Sequence, residues 1–382
     1  MTAGTTAPTE PLSFDRDQVR AEIDGTLDSF LTLKARTAAG QRMPAEVTRV
    51  LRDFLTSGGK RIRPLLCLTG WHTAGGQGHH PRPLVQAAAS LEMFHAFCLV
   101  HDDVIDQSHT RRGLPTVHRA LAAYHHHGRA LSAADRLGTS AAILVGDLAL
   151  AWSDELLHTA GLTDRQLTDV LPLFDAMRTE VMYGQYLDVI ATATATTPAT
   201  TQSTLNGGDS AQSDPVGRAL AICRYKTAKY TVERPLHIGA ALAGAGPSTL
   251  TALTAYALPL GEAFQLRDDL LGVYGDPART GKPALDDLRE GKATVLVALA
   301  LRHASPPQAE QLHTLLGRRD LTEEQADTAR GIITATGAVQ RVEAMITERY
   351  EQALRHLGAA PLEPASAHLL REFADSAVRR SA

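Results

Sequence analysis

Residues 84–106 read LVQAAASLEMFHAFCLVHDDVID, and this stretch decides the fold class. Its first part, Leu84–Val100, is the most apolar run of the chain, yet it carries Gln86, Glu92 and His95. A membrane span tolerates such side chains poorly, so the run predicts a buried core helix and no membrane span. The helix then ends in three aspartates, which places charged groups at the end of an apolar core.

The rest of the chain repeats this pattern, because alanine and leucine dominate long segments at helical spacing. Strand signals are nearly absent, and the single Asn-Gly pair, Asn206-Gly207, lies in a polar tract. The predicted fold class is therefore all-α, with the most apolar helices in the centre of a bundle. Helices are predicted over residues 16–56, 84–106, 136–160, 166–190, 218–244, 249–274, 290–303 and 322–356.

Length and composition fit one large domain with two polar segments. The 382 residues are ample for a large core. Residues 1–12 are expected to form a disordered tail without the features of a signal peptide, and residues 191–214 a low-complexity loop. We expect residues 13–382 to form a single all-helical domain that carries this loop.

Charge and cysteine content limit the function classes. The net charge of −4 at pH 7 argues against a nucleic-acid-binding surface. Three cysteines, Cys67, Cys98 and Cys223, lie in or beside mostly apolar stretches, and their number is odd. A disulfide framework is therefore not expected, and a reducing, cytoplasmic location fits the sequence.

The first acidic site closes the opening stretch. On a helix, Asp102 and Asp106 are one turn apart on one face, and Asp103 flanks them. Carboxylates ~6 Å apart repel by roughly 3 kcal/mol per pair at an effective dielectric near 20. Mg²⁺ compensates for such repulsion, since it binds a few carboxylates and completes its shell with water and phosphate oxygens. For this motif alone, a solvated helix end is an equally good interpretation.

A second acidic pair, Asp268-Asp269, also follows an apolar stretch, Leu250–Phe264. Two such pairs, far apart in the chain and each at the end of a buried helix, are hard to explain as surface charge. They predict two acidic walls of one cavity that hold metal ions between them.

A basic cluster, SGGKRIRP at Ser57–Pro64, opens another apolar helix. Free backbone N–H groups together with Lys60 and Arg63, one turn apart, predict an anion site suited to a diphosphate. This is not a nucleotide P-loop, because no serine or threonine follows Lys60. Further cations are present at Arg111, Arg112, Lys226, Lys282 and Lys292.

Metal-type and phosphate-type clusters thus occur together in an apolar helical chain. This combination points to a diphosphate ester with a hydrocarbon tail. Metal would assist the loss of diphosphate, and an apolar cavity would shelter a carbocation from water.

The motifs resemble those of the trans-isoprenyl diphosphate synthase (polyprenyl synthetase) family from about Gly58 to Thr294. The matching segments, in family order, are GGKRIRP, EMFHAFCLVHDDVID, RRGLPTVH, GQYLD, YKTAKYT, FQLRDD and GKPALDDLREGKAT. The sequences of these segments are most similar to those of bacterial geranylgeranyl diphosphate synthases.

The resemblance implies a bundle of long helices around a deep central cavity, and a homodimer. It implies Mg²⁺-dependent head-to-tail condensation of isopentenyl diphosphate with an allylic diphosphate, which is dimethylallyl, geranyl or farnesyl diphosphate. The allylic diphosphate ionises, the double bond of isopentenyl diphosphate attacks the cation, and a proton is lost to the departing diphosphate.

The resemblance also assigns residues to these roles. Three Mg²⁺ ions per active site would be held by Asp102, Asp103 and Asp106 on one wall and by Asp268 and Asp269 on the other. The isopentenyl diphosphate site would be formed by Lys60, Arg63, His95 and Arg112. The allylic diphosphate would contact Arg111, Lys226, Lys282 and Lys292, with Thr227 and Gln265 near the developing cation.

Product length depends, in this family, on bulky residues four and five positions before the first aspartate. These are Cys98 and Phe97, with Phe94 eight positions before it. A helical wheel puts Phe94 and Cys98 nearer to the face of Asp102, so the role of Phe97 comes from the resemblance alone. An aromatic fifth residue without a two-residue insertion in the motif favours a C20 product, and a farnesyl or longer product is the alternative.

One departure from the family pattern keeps other functions open. The second motif has Gly272 in place of a final aspartate, which leaves open a weaker metal wall or a non-catalytic regulatory subunit of a heteromeric synthase. A class I terpene cyclase would need a different second metal motif, which the sequence lacks. A helical phosphohydrolase built on His101 and Asp102 would leave the other clusters unexplained.

Lysine use is a further hint. The chain has 32 arginines but only six lysines, and the lysines concentrate in these motifs. A compact ammonium group acts on a diphosphate as a point charge, whereas arginine brings a wide planar fork. The sequence therefore supports the hypothesis that Lys226, for one, cannot be replaced by arginine.

Overall fold

The computed structural model describes residues 15–128, 130–195, 214–276 and 285–378. Helices dominate these residues, and the prediction of an all-α fold is confirmed. A short antiparallel hairpin, β1 (Thr110–Arg111) with β2 (Leu114–Pro115), is the exception in this part of the chain. Residues 1–12, Lys282 and most of the predicted loop at 191–214 lie outside the described residues.

The described residues form sixteen α-helices and one π-helical segment. They are α1 (Arg16–Gly40), α2 (Glu46–Thr56), α3 (Ile62–Thr73), α4 (Arg82–Ile105), α5 (Val117–Tyr124), α6 (Leu131–His158), α7 (Asp164–Ala195), α8 (Pro215–Ile222), a π-helical segment (Cys223–Glu233), α9 (Arg234–Leu242), α10 (Pro247–Tyr274), α11 (Asp286–Glu290), α12 (Val295–His303), α13 (Pro306–Leu315), α14 (Glu323–Ala335), α15 (Ala338–Ala359) and α16 (Pro364–Val378).

Several helix limits differ from the predicted ones for local reasons. The predicted helix 16–56 is two helices, because Arg42 between them adopts a left-handed backbone with φ of 58°. The predicted helix 322–356 is divided at Gly337, whose φ is 74°. The helix predicted to begin at residue 290 begins at 295, where the Thr294 side chain accepts a hydrogen bond from the Val297 N–H. The apolar helix expected after the basic cluster is α3, whereas sequence periodicity missed α5, α11, α13 and α16.

The opening stretch forms α4, which lies at the centre of the fold. Leu91, Met93 and Phe94 are fully buried, and the helix packs along α6. Within the described residues, α4 is also the one helix long and apolar enough to cross a membrane, and most of it is buried inside the protein. Its burial is that of a core helix, as the polar residues within it predicted.

The π-helical segment between α8 and α9 is held between two helices that approach it very closely. A β-carbon at Gly184 of α7 would lie 2.4 Å from the backbone nitrogen of Lys226. On the other side, a β-carbon at Gly261 of α10 would lie 2.5 Å from the Cα of Ala228. Only glycine permits these contacts, and π-helical turns are frequent at functional sites.

Candidate active site

A cavity of about 1020 Å³ opens between α4, α7, the π-helical segment and α10. It collects residues from distant parts of the chain, as the two-wall prediction requires. The sequence-predicted residues that line it are Lys60, Arg63, His95, Cys98, Asp102, Arg111, Arg112, Lys226, Thr227, Gln265, Asp268, Asp269 and Lys292. Apolar side chains, among them Leu99, Ile222 and Phe264, also line it.

Asp102 is the acidic group of α4 that faces the cavity. Its Oδ1 accepts hydrogen bonds from Lys226 Nζ at 3.1 Å and from Gln185 Nε2 at 3.2 Å. Burial raises the pKa of Asp102, but Lys226, Lys292 and Arg111 outweigh burial and hold its pKa below the ordinary value. The carboxylate therefore stays ionised at neutral pH.

The other two aspartates of the first motif are placed differently. Asp103 is fully buried, and both of its carboxylate oxygens accept from Arg111 Nε, at 2.9 and 3.0 Å. Asp106 lies one turn beyond Asp102, and its Oδ2 is 3.4 Å from Lys292 Nζ. Asp103 thus holds Arg111 in place at the cavity wall, while Asp106 faces a cation that lines the cavity.

The second motif supplies the opposite wall. Asp268 and Asp269 both line the cavity at the end of α10, which makes this the predicted second acidic wall. Burial raises the pKa of Asp269 to about 8, although Gln265 Nε2 donates to its Oδ1 at 2.7 Å. Gln265 in turn accepts from the Thr227 hydroxyl at 2.6 Å. Thr227, Gln265 and Asp269 therefore form one hydrogen-bonded chain from the π-helical segment to α10.

The donor set fits a hard divalent cation. Both walls offer carboxylate oxygens, which are the ligands that Mg²⁺ accepts together with water and phosphate oxygens. Within the described residues, no three metal-binding side chains already converge on one point. Lys226 and Lys292 lie among the carboxylates instead, at 3.1 Å from Asp102 and 3.4 Å from Asp106. Such a site supports metal binding in which a few carboxylates hold each ion and substrate oxygens complete its coordination shell.

The basic cluster departs from the helix start that the sequence predicted. Arg61 has a left-handed backbone with φ of 48°, so Lys60 precedes α3 and does not share a helical turn with Arg63. The Arg61 guanidinium is buried and donates to Asp24 at 2.7 Å and to Glu92 at 2.9 Å. Arg61 thereby anchors the loop, and Lys60 and Arg63 on either side of it line the cavity.

His95 and Arg63 are joined through Tyr230. His95 Nδ1 and Tyr230 Oη share a hydrogen bond of 2.9 Å, and the Arg63 guanidinium lies 4.0 Å from the Tyr230 ring centroid. Burial, with Arg63 and Arg112 nearby, holds the pKa of His95 well below its ordinary value. His95 is therefore a neutral hydrogen-bonding group beside the cations.

Two functional side chains that sequence reasoning left open are drawn into the site by α7. Gln185 donates to Asp102, and Asp188 accepts from Lys226 Nζ at 2.6 Å. Both residues lie in the GQYLD segment, residues 184–188, where the sequence alone does not distinguish a packing role from a contact. The close approach at Gly184 explains the contact, because it brings this face of α7 against Lys226.

The residues nominated for product length lie at different depths. Cys98 lines the cavity, whereas Phe94 and Phe97 are buried outside its lining, with ring centroids 5.3 Å apart. The Phe97 ring also lies 4.8 Å from that of His101. His101 Nε2 is 3.0 Å from the Ile143 carbonyl oxygen, which commits it to α6 and removes the basis for a His-Asp phosphohydrolase dyad.

An all-α bundle in which one cavity joins two acidic walls to a diphosphate-type cationic site defines the class of α-helical isoprenoid synthases. The family model described as polyprenyl synthetase matches residues 44–333 of the chain. The chain therefore belongs to the polyprenyl synthetase family and is a prenyltransferase, an isoprenyl diphosphate synthase.

Individual relatives agree with this assignment. A geranylgeranyl pyrophosphate synthase from Corynebacterium glutamicum, solved with isoprenyl diphosphate and magnesium, is 39% identical with a TM-score of 0.87, covering 96% of this chain and 100% of that one. The geranylfarnesyl diphosphate synthase of Aeropyrum pernix is 31% identical over 88% of this chain and 95% of its own length. The geranylgeranyl diphosphate synthase of Saccharolobus solfataricus is 32% identical over 73% of this chain and 74% of its own length.

A polyprenyl synthase from Caulobacter crescentus, solved with calcium and isoprenyl diphosphate, is 28% identical with a TM-score of 0.73, covering 98% of this chain and 100% of that one. Two structural neighbours thus contain a divalent cation together with an isoprenyl diphosphate. Divalent metal use by this fold is supported, in agreement with the carboxylate walls.

Proposed function

We propose that the chain condenses isopentenyl diphosphate with an allylic diphosphate and releases geranylgeranyl diphosphate, the C20 product. One observation carries this proposal: the diphosphate-type cations line the same cavity as Asp102 and the second acidic pair, together with apolar side chains. Geranylgeranyl diphosphate synthases among the relatives support the C20 product. Farnesyl or longer products are the alternative.

The two substrates would bind at two parts of the cavity that differ in charge, one cationic and one acidic. Isopentenyl diphosphate would bind at Lys60, Arg63 and Arg112, where His95 is a neutral hydrogen-bonding group beside the cations. The allylic diphosphate would lie between the acidic walls, where Mg²⁺, three ions in our proposal, would neutralise the charge that develops on the leaving diphosphate. Asp102, Asp106, Asp268 and Asp269 are the side chains that would hold these ions, and the buried Asp103 would act through Arg111.

The chain's own polar groups would then stabilise the allylic cation. The Thr227 hydroxyl proton is committed to Gln265, so the lone pairs of the Thr227 oxygen remain to face positive charge. Lys226, which also lines the cavity, would face the leaving diphosphate, and we place Lys282 there by resemblance only. Apolar side chains such as Leu99 and Phe264 would exclude water, which would otherwise quench the cation.

The purified protein, Mg²⁺, isopentenyl diphosphate and each allylic starter test the proposal, with products separated by chain length. We expect a C20 product and one diphosphate released per condensation. A C15 or longer main product would change the product assignment alone. Elongation only with a second protein would indicate a regulatory subunit, and phosphate release without condensation would indicate a hydrolase.

Replacing Phe97 with alanine is expected to lengthen the product beyond C20. The ring packs against Phe94, which in turn packs against the cavity-lining Tyr230, so its removal would open space beside the cavity. Mass spectrometry of the dephosphorylated products measures the change. A product distribution identical to that of the parent enzyme would remove Phe97 from the determinants of chain length.

We propose that the enzyme is a cytoplasmic homodimer whose subunits each form one domain over residues 13–382. In the single subunit, two neighbouring helices joined by the Arg178–Asp154 ion pair expose large apolar side chains to water. On α6 and α7 these are Leu137, Ile143, Leu144, Met182, Tyr183, Tyr186, Leu187, Val189 and Ile190. A dimer interface over these helices would cover them.

Replacing Leu144 with arginine is expected to convert the dimer to monomer, since the side chain is 63% exposed in the single subunit and a charge would be buried in the interface. Light scattering after gel filtration gives the mass. Met43, 57% exposed between α1 and α2, offers a matched control, and Met43→Arg should stay dimeric. A monomeric parent protein, or a dimeric Leu144→Arg variant, would contradict this surface.

A further inference from the structure

Gly272 stands where the second acidic motif departs from its family pattern, and its missing side chain has a neighbour. A β-carbon built on Gly272 would lie 1.8 Å from Asp287 Oδ2 and 2.7 Å from Asp287 Cγ. Non-bonded atoms do not approach so closely, so a side chain at position 272 would have to displace this carboxylate. The Asp287 carboxylate occupies the space that a residue-272 side chain would fill.

That space belongs to the second acidic wall. Gly272 lies four residues after Asp268 on α10, so the two positions are one turn apart on the same face. Since a carbon–carbon bond is about 1.5 Å long, Asp287 Oδ2 sits near the place of the carboxyl carbon of an aspartate at position 272. Gly272, Asp268 and Asp287 all line the cavity.

Asp287 is held there by a short helix that is itself anchored. Asp287 belongs to α11, in which Leu288 is buried and its carbonyl oxygen accepts from the Gly317 N–H at 2.9 Å. The Asp287 carbonyl oxygen accepts from the Lys292 N–H at 3.2 Å. The backbone that carries the carboxylate is therefore fixed from both sides.

A purely structural role, as the partner of Lys292, does not account for this arrangement. Lys292 Nζ is 3.5 Å from Asp287 Oδ1, but it is closer to Asp106 at 3.4 Å and to Glu290 at 2.9 Å. The lysine is thus paired twice without Asp287. The other oxygen, Oδ2, is the one directed at Gly272.

We propose that Asp287 supplies the third carboxylate of the second acidic wall, in place of a side chain at position 272. The proposal rests on the function proposed above, in which Asp268 and Asp269 hold a divalent cation. The wall is then complete in this chain, with its third acid contributed from α11 and not from α10. Gly272 is required because it leaves room for that acid.

Metal binding tests the proposal without turnover. MgCl₂ is titrated calorimetrically into protein saturated with inorganic diphosphate, for the parent and for Asp287→Ala, Gly272→Ala and the exchange variant Gly272→Asp/Asp287→Gly. We expect Asp287→Ala to weaken Mg²⁺ about 10-fold or more. Gly272→Ala should weaken it similarly, because the new methyl group displaces the carboxylate. The exchange variant should regain most of the affinity.

Asp268→Ala distinguishes a failure of the proposed role of Asp287 from a failure of the proposed metal site. If Asp268→Ala weakens Mg²⁺ binding but Asp287→Ala and Gly272→Ala do not, the role of Asp287 is overturned and the metal wall stands. If Asp268→Ala also leaves binding unchanged, the metal assignment itself fails. An exchange variant that folds, as judged by circular dichroism, yet binds Mg²⁺ as weakly as Asp287→Ala would overturn the proposal. If the exchange variant does not fold, the Mg²⁺ affinity of Gly272→Ala is the deciding measurement, and parental affinity would overturn the proposal.

Discussion

Replacing Asp102 with alanine is expected to lower kcat for condensation about 1000-fold. Asp102 is the carboxylate of α4 that faces the cavity, and it accepts from both Lys226 and Gln185. Its loss would remove a proposed ligand of the metal that assists departure of the diphosphate. A loss of about 4 kcal/mol of transition-state stabilisation corresponds to a factor of this size.

The matched control removes a carboxylate–arginine pair outside the cavity. Asp135 Oδ1 is 3.0 Å from Arg119 Nη1, and its side chain is half exposed. Asp135→Ala should keep kcat within about twofold, because exposed ion pairs contribute little. Thermal melting of both variants excludes unfolding as the cause. An Asp102→Ala enzyme that retains a tenth of the parental kcat would show that Asp102 is dispensable.

Asp102→Asn divides the two effects of this side chain. The amide keeps an oxygen that can accept from Lys226 or Gln185, but it removes the negative charge. If charge for the metal is the main contribution, Asp102→Asn should lose nearly as much turnover as Asp102→Ala. Recovery to near-parental turnover would instead assign Asp102 a positioning role toward Lys226.

The chemistry of the site could be predicted from the sequence because its charges are grouped. Asp102 with Asp106, and Asp268 with Asp269, lie next to each other at the ends of apolar segments, and burial of like charges is too costly to be incidental. The prediction that distant motifs share one cavity followed from this grouping. In the structure, Asp102 of the first motif lines one cavity with Asp268 and Asp269 of the second.

What the sequence could not predict are the pairings that depend on tertiary approach. Asp188 reaches Lys226 only because Gly184 lets α7 press against the π-helical segment. Asp287 reaches the space beside Gly272 through α11, the next described helix after α10, by a packing arrangement that no sequence pattern specifies. No periodicity encodes such contacts, although a glycine next to a polar motif is a usable signal of close approach.

The backbone conformation at Arg61 could not be predicted from the sequence pattern either. Arg61 takes a left-handed conformation that glycine usually adopts, and its side-chain bonds to Asp24 and Glu92 hold it there. This separates Lys60 from α3 and changes the predicted one-turn spacing between Lys60 and Arg63. The predicted roles of these two cations remain, because both line the cavity.

Replacing Lys226 with arginine is expected to lower kcat about 100-fold, although the positive charge is kept. Lys226 Nζ lies between two carboxylates, 3.1 Å from Asp102 Oδ1 and 2.6 Å from Asp188 Oδ2. The backbone cannot retreat, because Gly184 already packs against it. Arginine would bring a longer side chain and a planar fork into this gap, which displaces Asp102 from its place at the wall.

The same substitution at Lys34 is the control, because Lys34 pairs with Glu155 away from the cavity. Lys34→Arg should retain kcat within about twofold, and Lys226→Met should lose at least as much as Lys226→Arg. An arginine variant at position 226 with near-parental kcat would show that charge alone suffices and that the concentration of lysine in these motifs is not a local requirement. If instead Lys226→Arg loses activity while Mg²⁺ still binds, the shape of the ammonium group between Asp102 and Asp188 is what the reaction needs.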